Sequence, residues 1–306
     1  GAAGVGKSAL IHALHQPVVE RRGYFVSGKF DQRARGIPYQ ALIEACQALI
    51  EQLLTEPPER LQWWRDRILE ALGDNAGVIA EMLPAVELIV GKQPVPALVP
   101  PTEAQNRFKR VLEIFVSALA TPAHPLALFL DDLQWADAAT LNLLEPLLTS
   151  TDIRSLFIIG AYRVNQVDDR HPLRQAVQAL EQAGAQIQQI SLTPLKRDEI
   201  ARLVADTMKC AVADTIDLAH AVLTKTAGNP FFAIQFLKTL HQDGLITFDV
   251  ERSRWVGGIE AIRSASITEN VVDLMSRKID RLAPDARTAI TLAACMGSRF
   301  DLATLA

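Results

Sequence analysis

Apolar runs alternate with amphipathic stretches along the first 193 residues of the chain. Three nearly continuous apolar runs predict β-strands at 23–28, 125–132 and 155–163. Apolar residues at helical spacing predict helices at 8–15, 39–54, 59–72, 102–119 and 170–182, with a further helix after Asp137. A weaker run predicts a last strand at 186–192. Because strands that alternate with helices favour parallel pairing, the pattern predicts a three-layer α/β sandwich with a parallel sheet.

The pattern becomes mostly helical after Thr193-Pro194. Helices are predicted around 200–208 and at 216–226, 230–241, 269–282 and 284–294, with a hairpin formed by 245–248 and 252–256. The string Gly228-Asn229-Pro230 is typical of one helix ending at the glycine and another that is capped by the asparagine and has proline in its first turn. We therefore predict three regions: a core at 1–193, a helical segment at 194–243 and a winged-helix-like module at 244–306.

Composition narrows the classes of protein to consider. With 306 residues, of which 49% are apolar, the chain can bury a core in each of roughly two domains. The net charge of −4 disfavours a dedicated nucleic-acid surface. Three widely separated cysteines without a C-x-x-C pair predict neither disulfides nor structural zinc and fit a reducing cytoplasm. No apolar run approaches the ~20 residues of a membrane span, so we expect no membrane partner.

Residues 1–8 carry the first chemical signal, because Gly-Ala-Ala-Gly-Val-Gly-Lys-Ser fits the phosphate-binding pattern G-x-x-x-x-G-K-[ST]. Glycines let the backbone curl so that successive N–H groups face phosphate oxygens, and the helix that follows directs its positive dipole end at the same anion. In this pattern Lys7 reaches the β- and γ-phosphates, and the Ser8 hydroxyl binds Mg²⁺. An ordinary Gly-rich turn before a helix is the alternative.

A phosphate-binding loop of this kind normally follows an apolar strand. Since the sequence begins at the first glycine, we expect that the central strand of the sheet lies upstream. The helical pattern is still running at 297–306, so we also expect the C-terminal module to continue.

Charged residues follow two of the predicted strands. Asp131 and Asp132 end the most apolar strand, and Arg163 ends the next one. Ligands bind at the carboxyl edge of open α/β sheets, so these side chains are expected to face the phosphates. Asp131 would support Mg²⁺, and Arg163 would contact the γ-phosphate. Solvated side chains, or an arginine paired with a carboxylate, are the alternatives.

These motifs together resemble the STAND class of AAA-type ATPases, and in particular the ATPase modules of large bacterial sensor multi-kinases. The resemblance covers essentially the whole chain and is most specific in the string Asp-Asp-Leu-Gln-Trp-Ala-Asp at 131–137. It also includes the strings at 1–8, 25–32, 160–163, 228–230 and 293–302. The resemblance implies a P-loop NTPase core followed by a helical lid.

The resemblance also implies roles for individual residues, with ATP and Mg²⁺ as cofactors. The implied ATP-binding residues are Gly1, Gly4, Val5, Gly6, Lys7, Ser8, Ala9 and, against adenine, Pro230. Mg²⁺ would be held by Ser8 and Asp131. Catalysis would involve Asp132 as the water-activating carboxylate, with Lys7 and the sensor cation Arg163. The implied partners are flanking kinase and sensor domains of the same polypeptide, with nucleotide-dependent self-association.

Asp132 departs from many fast relatives, which carry Glu at this position. A base must approach the attacking water to within ~3 Å, and a side chain shorter by one C–C bond, about 1.5 Å, predicts slow hydrolysis. Slow hydrolysis suits a regulatory switch.

Two alternative functions stay open. One is an origin-recognition-like ATPase that handles DNA, which the balance of seven Lys and Arg against six Asp and Glu at 251–287 disfavours. The other is a non-hydrolysing nucleotide-binding scaffold.

Overall fold

The computed structural model describes residues 1–2, 4–32, 38–250, 254–257, 276, 279–280 and 282–296. The chain divides into two compact units, Gly1–Leu192 and Thr193–Ala306. Most of the helix predicted at 269–282, and the whole segment 297–306, lie outside the described residues. Within the described part, no helix combines the length and the apolar character that a membrane span requires.

The first unit contains a parallel sheet with the order β1 (Tyr24–Lys29), β2 (Leu126–Asp131) and β3 (Leu156–Gly160). An apolar run of this kind is typical of a strand that is buried on both faces, and β2 is indeed buried from Leu126 to Leu130. In the register, Lys29 of β1 stands opposite Asp131 of β2. The prediction of an α/β fold with a parallel sheet is confirmed, and the acidic end of β2 lies beside the end of β1.

Helices cover the sheet of the first unit. They are α1 (Lys7–Glu20), α2 (Gln40–Leu54), α3 (Pro58–Leu72), α4 (Ala76–Met82), α5 (Glu87–Val90), α6 (Pro101–Leu119), α7 (Ala138–Thr149) and α8 (Pro172–Gln182). Because side chains alternate along a strand, β2 directs Leu128 and Leu130 into the main core with α2, α3, α6 and α7, whereas Phe129 packs with Ile11 of α1. Helices therefore pack on both faces of the sheet.

Gly28 allows the close approach of α2 to β1. A Cβ atom at this position would lie 1.9 Å from the carbonyl oxygen of Ala41. Any side chain would therefore push α2 away from the strand. The glycine places the start of α2 close to the carboxyl edge of the sheet.

The strand predicted at 186–192 is wrong, since these residues form no ladder with a described strand. Ile187 and Ile190 are exposed instead of packed. A strand is defined by the neighbour with which it pairs, which the apolar pattern of one segment does not reveal. The apolar run at 155–163 also favours a buried strand, but β3 is only partly buried, because Phe157 is 60% exposed. Within the described sheet, β3 pairs with β2 alone and so forms an edge.

The second unit contains α9 (Arg197–Met208), α10 (Ile216–Thr226), α11 (Pro230–Gln242), the antiparallel hairpin β4 (Ile246–Asp249) and β5 (Arg254–Gly257), and α12 (Pro284–Met296). The predicted break between α10 and α11, with an asparagine cap at the start of α11, is confirmed. Gly228 has a φ of 75°, and the side chain of Asn229 accepts a hydrogen bond from the N–H of Phe231. Pro230 occupies the first turn of α11. Apolar side chains of α9, α10, α11 and β4 form the core of this unit.

Candidate functional site

The glycines before α1 adopt backbone conformations that favour glycine. Gly4 has a φ of 73° and Gly6 a φ of 99°, both in the left-handed region. Gly6 precedes the first helical residue, Lys7, and open space surrounds the place where its Cβ would stand. The first N–H groups of a helix have no partner within it and carry a positive partial charge. The loop and the N-terminus of α1 thus provide a setting that suits a phosphate.

Lys7 lies across this loop. Its ammonium donates hydrogen bonds to the carbonyl oxygens of Gly1 at 3.2 Å and Ala2 at 2.9 Å. Burial lowers the pKa of Lys7; Asp131 and Asp132 act in the raising direction, and Arg163 in the lowering direction. These couplings mean that Lys7, both carboxylates and the arginine share one site.

The neighbours of Lys7 differ in their access to solvent. Ser8 and Ala9, in the first turn of α1, are exposed, whereas the side chain of Val5 is buried. The Gly1 nitrogen donates a hydrogen bond to the carbonyl oxygen of Tyr162 at 3.3 Å. This contact places the start of the loop beside the segment that follows β3 and carries Arg163.

Asp131 is the last residue of β2 and is half-buried. Its Oδ1 atom accepts a hydrogen bond from the backbone N–H of Asp132 at 2.9 Å. Asp131 therefore lies at the sheet edge that also faces Lys7.

Asp132 is buried and has a left-handed backbone with a φ of 55°. Such a conformation is tolerated by Asp better than by most residues. Its Oδ1 atom accepts hydrogen bonds from Nε2 of Gln134 at 2.8 Å and from Nε of Arg163 at 3.3 Å. Its Oδ2 atom lies 3.6 Å from Nζ of Lys29. One carboxylate therefore contacts side chains at or just after the carboxyl ends of the three described strands.

The structure brings together most of the residues that the sequence predicts for the site. Lys7, Asp131, Asp132 and Arg163 meet at the carboxyl edge of the sheet, with the loop at 1–6 beside them. Pro230 belongs to the second unit, so its adenine contact stays a prediction.

Sequence reasoning missed the two residues that contact Asp132 alongside Arg163. Lys29 follows the predicted strand at 23–28, so its place at the carboxyl edge was a usable signal. Gln134 lies inside the acidic string and is only 1% exposed, which the motif alone does not reveal.

A comparison with protein families shows to which family the chain belongs. Residues 1–159 match the family described as the AAA ATPase domain. The chain belongs to this family. This AAA ATPase domain is also similar to two curated kinases. No solved structure matches it.

The first relative is the hybrid signal transduction histidine kinase G of Dictyostelium discoideum, which is 30% identical over 370 residues. That similarity covers 100% of this chain and 10% of the kinase. The second is histidine protein kinase 1 of Candida albicans, 24% identical over 187 residues, which cover 54% of this chain and 8% of the kinase. The AAA ATPase domain thus spans about a tenth of the length of these relatives.

The residues present fit a magnesium nucleotide. The left-handed glycines leave the start of α1 open to an anion, and Lys7 and Arg163 supply positive charge. Among the residues that the structure describes, no cluster of three or more His, Cys, Asp or Glu side chains is arranged to hold a metal by itself. Mg²⁺ commonly takes one or two protein oxygens together with phosphate oxygens and water. Ser8 and Asp131 are the side chains that would hold it.

Proposed function

We propose that this chain is an Mg²⁺-ATP-binding regulatory ATPase module whose slow hydrolysis drives a conformational switch in a multidomain signalling protein. The observation that carries the proposal is the meeting of Lys7, Asp131, Asp132 and Arg163 beside a glycine loop at a helix N-terminus. The membership in the AAA ATPase domain family supports ATP as the nucleotide.

Each part of the site has a chemical task in this proposal. The amides of the loop bind the phosphates of ATP, and Lys7 neutralises the β- and γ-phosphates. Ser8 and Asp131 hold Mg²⁺, which when bound neutralises charge on phosphate oxygens. Asp132 accepts a proton from the attacking water as the water oxygen bonds to the γ-phosphorus and the bond to the bridging oxygen breaks. The products are ADP and inorganic phosphate.

The contacts of Asp132 support slow turnover. Its two oxygens already face Lys29, Gln134 and Arg163. A carboxylate that also accepts a proton from water must weaken at least one of these contacts. The γ-phosphate competes for Arg163, so nucleotide binding and the freeing of Asp132 are linked. This competition gives the module two arrangements between which ATP selects.

The signalling role rests on the relatives. Both curated relatives are named as histidine kinases, and the chain spans about a tenth of each. We propose that this module likewise acts beside kinase and sensor domains of one polypeptide, with ATP as its small-molecule partner and nucleotide-dependent self-association. Any protein phosphorylation would belong to those other domains.

A non-hydrolysing nucleotide-binding scaffold is the second candidate. The observation that favours it is again Asp132, because both oxygens of its carboxylate are already in contact with Lys29 and Arg163, where an attacking water would have to bind. In this function ATP is bound and the signal depends on occupancy alone.

Phosphate release from Mg²⁺-ATP by the full chain tests the two candidates. We expect slow release by the wild type, and ATP binding without release by Asp132→Asn. Asp169→Asn provides the matched control, since the Asp169 side chain is 96% exposed; it should leave both readouts unchanged. Binding without release in the wild type would establish the scaffold, and no binding by the folded wild type would contradict both candidates.

A further inference from the structure

Gln134 lies in a hydrogen-bonded turn between Asp132 and Arg163, the two charged residues that it contacts. It is the middle residue of the 3-10 turn Leu133–Trp135, directly after Asp132. The N–H of Leu133 donates to the carbonyl oxygen of Ala161 at 2.9 Å, and the N–H of Trp135 donates to that of Asp132 at 2.9 Å. These bonds tie the turn to the segment that follows β3, and the side chain of Gln134 is buried.

The two ends of the Gln134 amide contact two different segments, one that follows β2 and one that follows β3. Nε2 donates to Oδ1 of Asp132 at 2.8 Å, and Oε1 accepts from the backbone N–H of Arg163 at 3.1 Å. A carboxylate can only accept and an N–H can only donate, so these partners fix which end of the amide is which. The amide therefore spans the carboxylate after β2 and the backbone after β3.

We propose that Gln134 is a positioning residue that holds the Asp132 carboxylate and Arg163 at one spacing for attack on the γ-phosphate. The inference rests on the proposed ATPase function. Gln134 acts through its two partners and contacts no reacting atom itself. The geometry of its two bonds gives it this role, since one bond ends on the Asp132 carboxylate and the other on the backbone N–H from which the Arg163 side chain extends back to Asp132.

Chemistry explains why an amide suits this position. A buried acceptor or donor that loses its partner is costly, and here one side chain satisfies an acceptor and a donor at once. An apolar side chain would satisfy neither. A displacement of a catalytic group by ~1 Å can lower the rate on the order of 100-fold, so a loosened carboxylate should be visible in kcat.

The first test replaces the amide by a side chain of similar size. We expect Gln134→Leu to lower kcat for ATP hydrolysis on the order of 100-fold and to leave KM nearly unchanged, because the loop and Lys7 are untouched. The matched control is Gln52→Leu. Gln52 is half-buried and donates to the carbonyl oxygen of Phe25 at 3.0 Å, so its loss tests a general packing effect. The control should retain the wild-type kcat.

The second test measures equilibrium binding of Mg²⁺-ATP to the same variant. We expect Gln134→Leu to bind Mg²⁺-ATP with nearly the wild-type affinity. A loss of kcat at unchanged ATP affinity is the result that a positioning role produces, whereas a general loss of structure weakens binding as well.

The outcomes separate this inference from the proposed function. Turnover by the wild type together with an unchanged kcat in Gln134→Leu would overturn the positioning role and leave the ATPase proposal intact. A parallel loss of ATP affinity and kcat in Gln134→Leu would also overturn it, because a positioning residue affects the rate and leaves binding intact. No turnover by the wild type would overturn the ATPase function and this inference with it.

Discussion

The two neighbouring acids at the carboxyl edge of the sheet, Asp131 and Asp132, have different contacts. The Asp132 carboxylate is in contact with Lys29, Gln134 and Arg163, whereas the Asp131 carboxylate accepts a hydrogen bond from the backbone N–H of Asp132. Asp131 is also the more accessible of the two acids. In our proposal this asymmetry leaves Asp131 to Mg²⁺ and makes Asp132 the acid whose partners change with the nucleotide.

The pKa of Lys7 leads to a prediction about pH. Burial lowers this pKa, and the ammonium loses its charge as the pH rises through the lowered value. In our proposal ATP binds the charged form of Lys7, so the affinity for ATP should fall at a pH below the range in which an ordinary lysine titrates. Titration with a fluorescent ATP analogue between about pH 7 and pH 10 measures this. Lys7→Arg is the control, since guanidinium keeps its charge and should flatten the dependence. An identical decline in both proteins would contradict the role of Lys7.

The sequence identified the residues whose chemistry belongs to a local motif. Lys7, Asp131 and Asp132 follow from their strings alone, and Arg163 follows from its place at the end of a strand. A pairing of Arg163 with a carboxylate was one of the alternatives, but that the carboxylate is Asp132, and that Lys29 joins it, did not follow. Lys29 and Arg163 are distant from Asp132 in sequence and meet it only through the register of the sheet. Gln134 is close in sequence, but its direction depends on the left-handed backbone of Asp132.

Helices and strands were predictable where the apolar pattern of the sequence agrees with the burial of the element in the fold. The run that became β2 is apolar throughout and lies in the centre of the sheet, and the signals around Gly228-Asn229-Pro230 gave the helix ends because capping is local. The segment 186–192 shows where prediction from the apolar pattern fails. Its three apolar residues, at 187, 190 and 192, are compatible with a strand, yet pairing depends on a neighbour elsewhere in the chain.

Helix α3 supports a prediction about stability. The Trp64 ring is fully buried and packs against Tyr24 at 5.9 Å and His124 at 5.5 Å between ring centroids. Trp64→Ala should therefore destabilise the first unit by about 3–5 kcal/mol, because it removes an aromatic side chain from the core. Urea unfolding followed by circular dichroism measures the loss. Trp63→Ala is the matched control, with its ring 44% exposed, and should cost clearly less. Equal losses would contradict the assignment of Trp64 to the core.

The whole molecule has two units, each with its own apolar core. The proposed nucleotide chemistry lies in the first unit, and the predicted adenine contact of Pro230 lies in the second. A switch of the kind proposed requires that nucleotide binding in the first unit alter the second. Since the chain spans about a tenth of its curated relatives, the signal that results belongs to the larger polypeptide and is part of the proposal.

Everything proposed for this chain requires that the loop at 1–8 and Lys7 bind the phosphates of ATP. The decisive measurement is equilibrium binding of Mg²⁺-ATP to the full chain, to Lys7→Ala and to Lys92→Ala, which alters an exposed loop position. We predict saturable binding by the wild type and Lys92→Ala, and an affinity about 10- to 100-fold weaker in a folded Lys7→Ala, as expected for the loss of a charged hydrogen bond. Equal affinity in all three proteins would contradict the account.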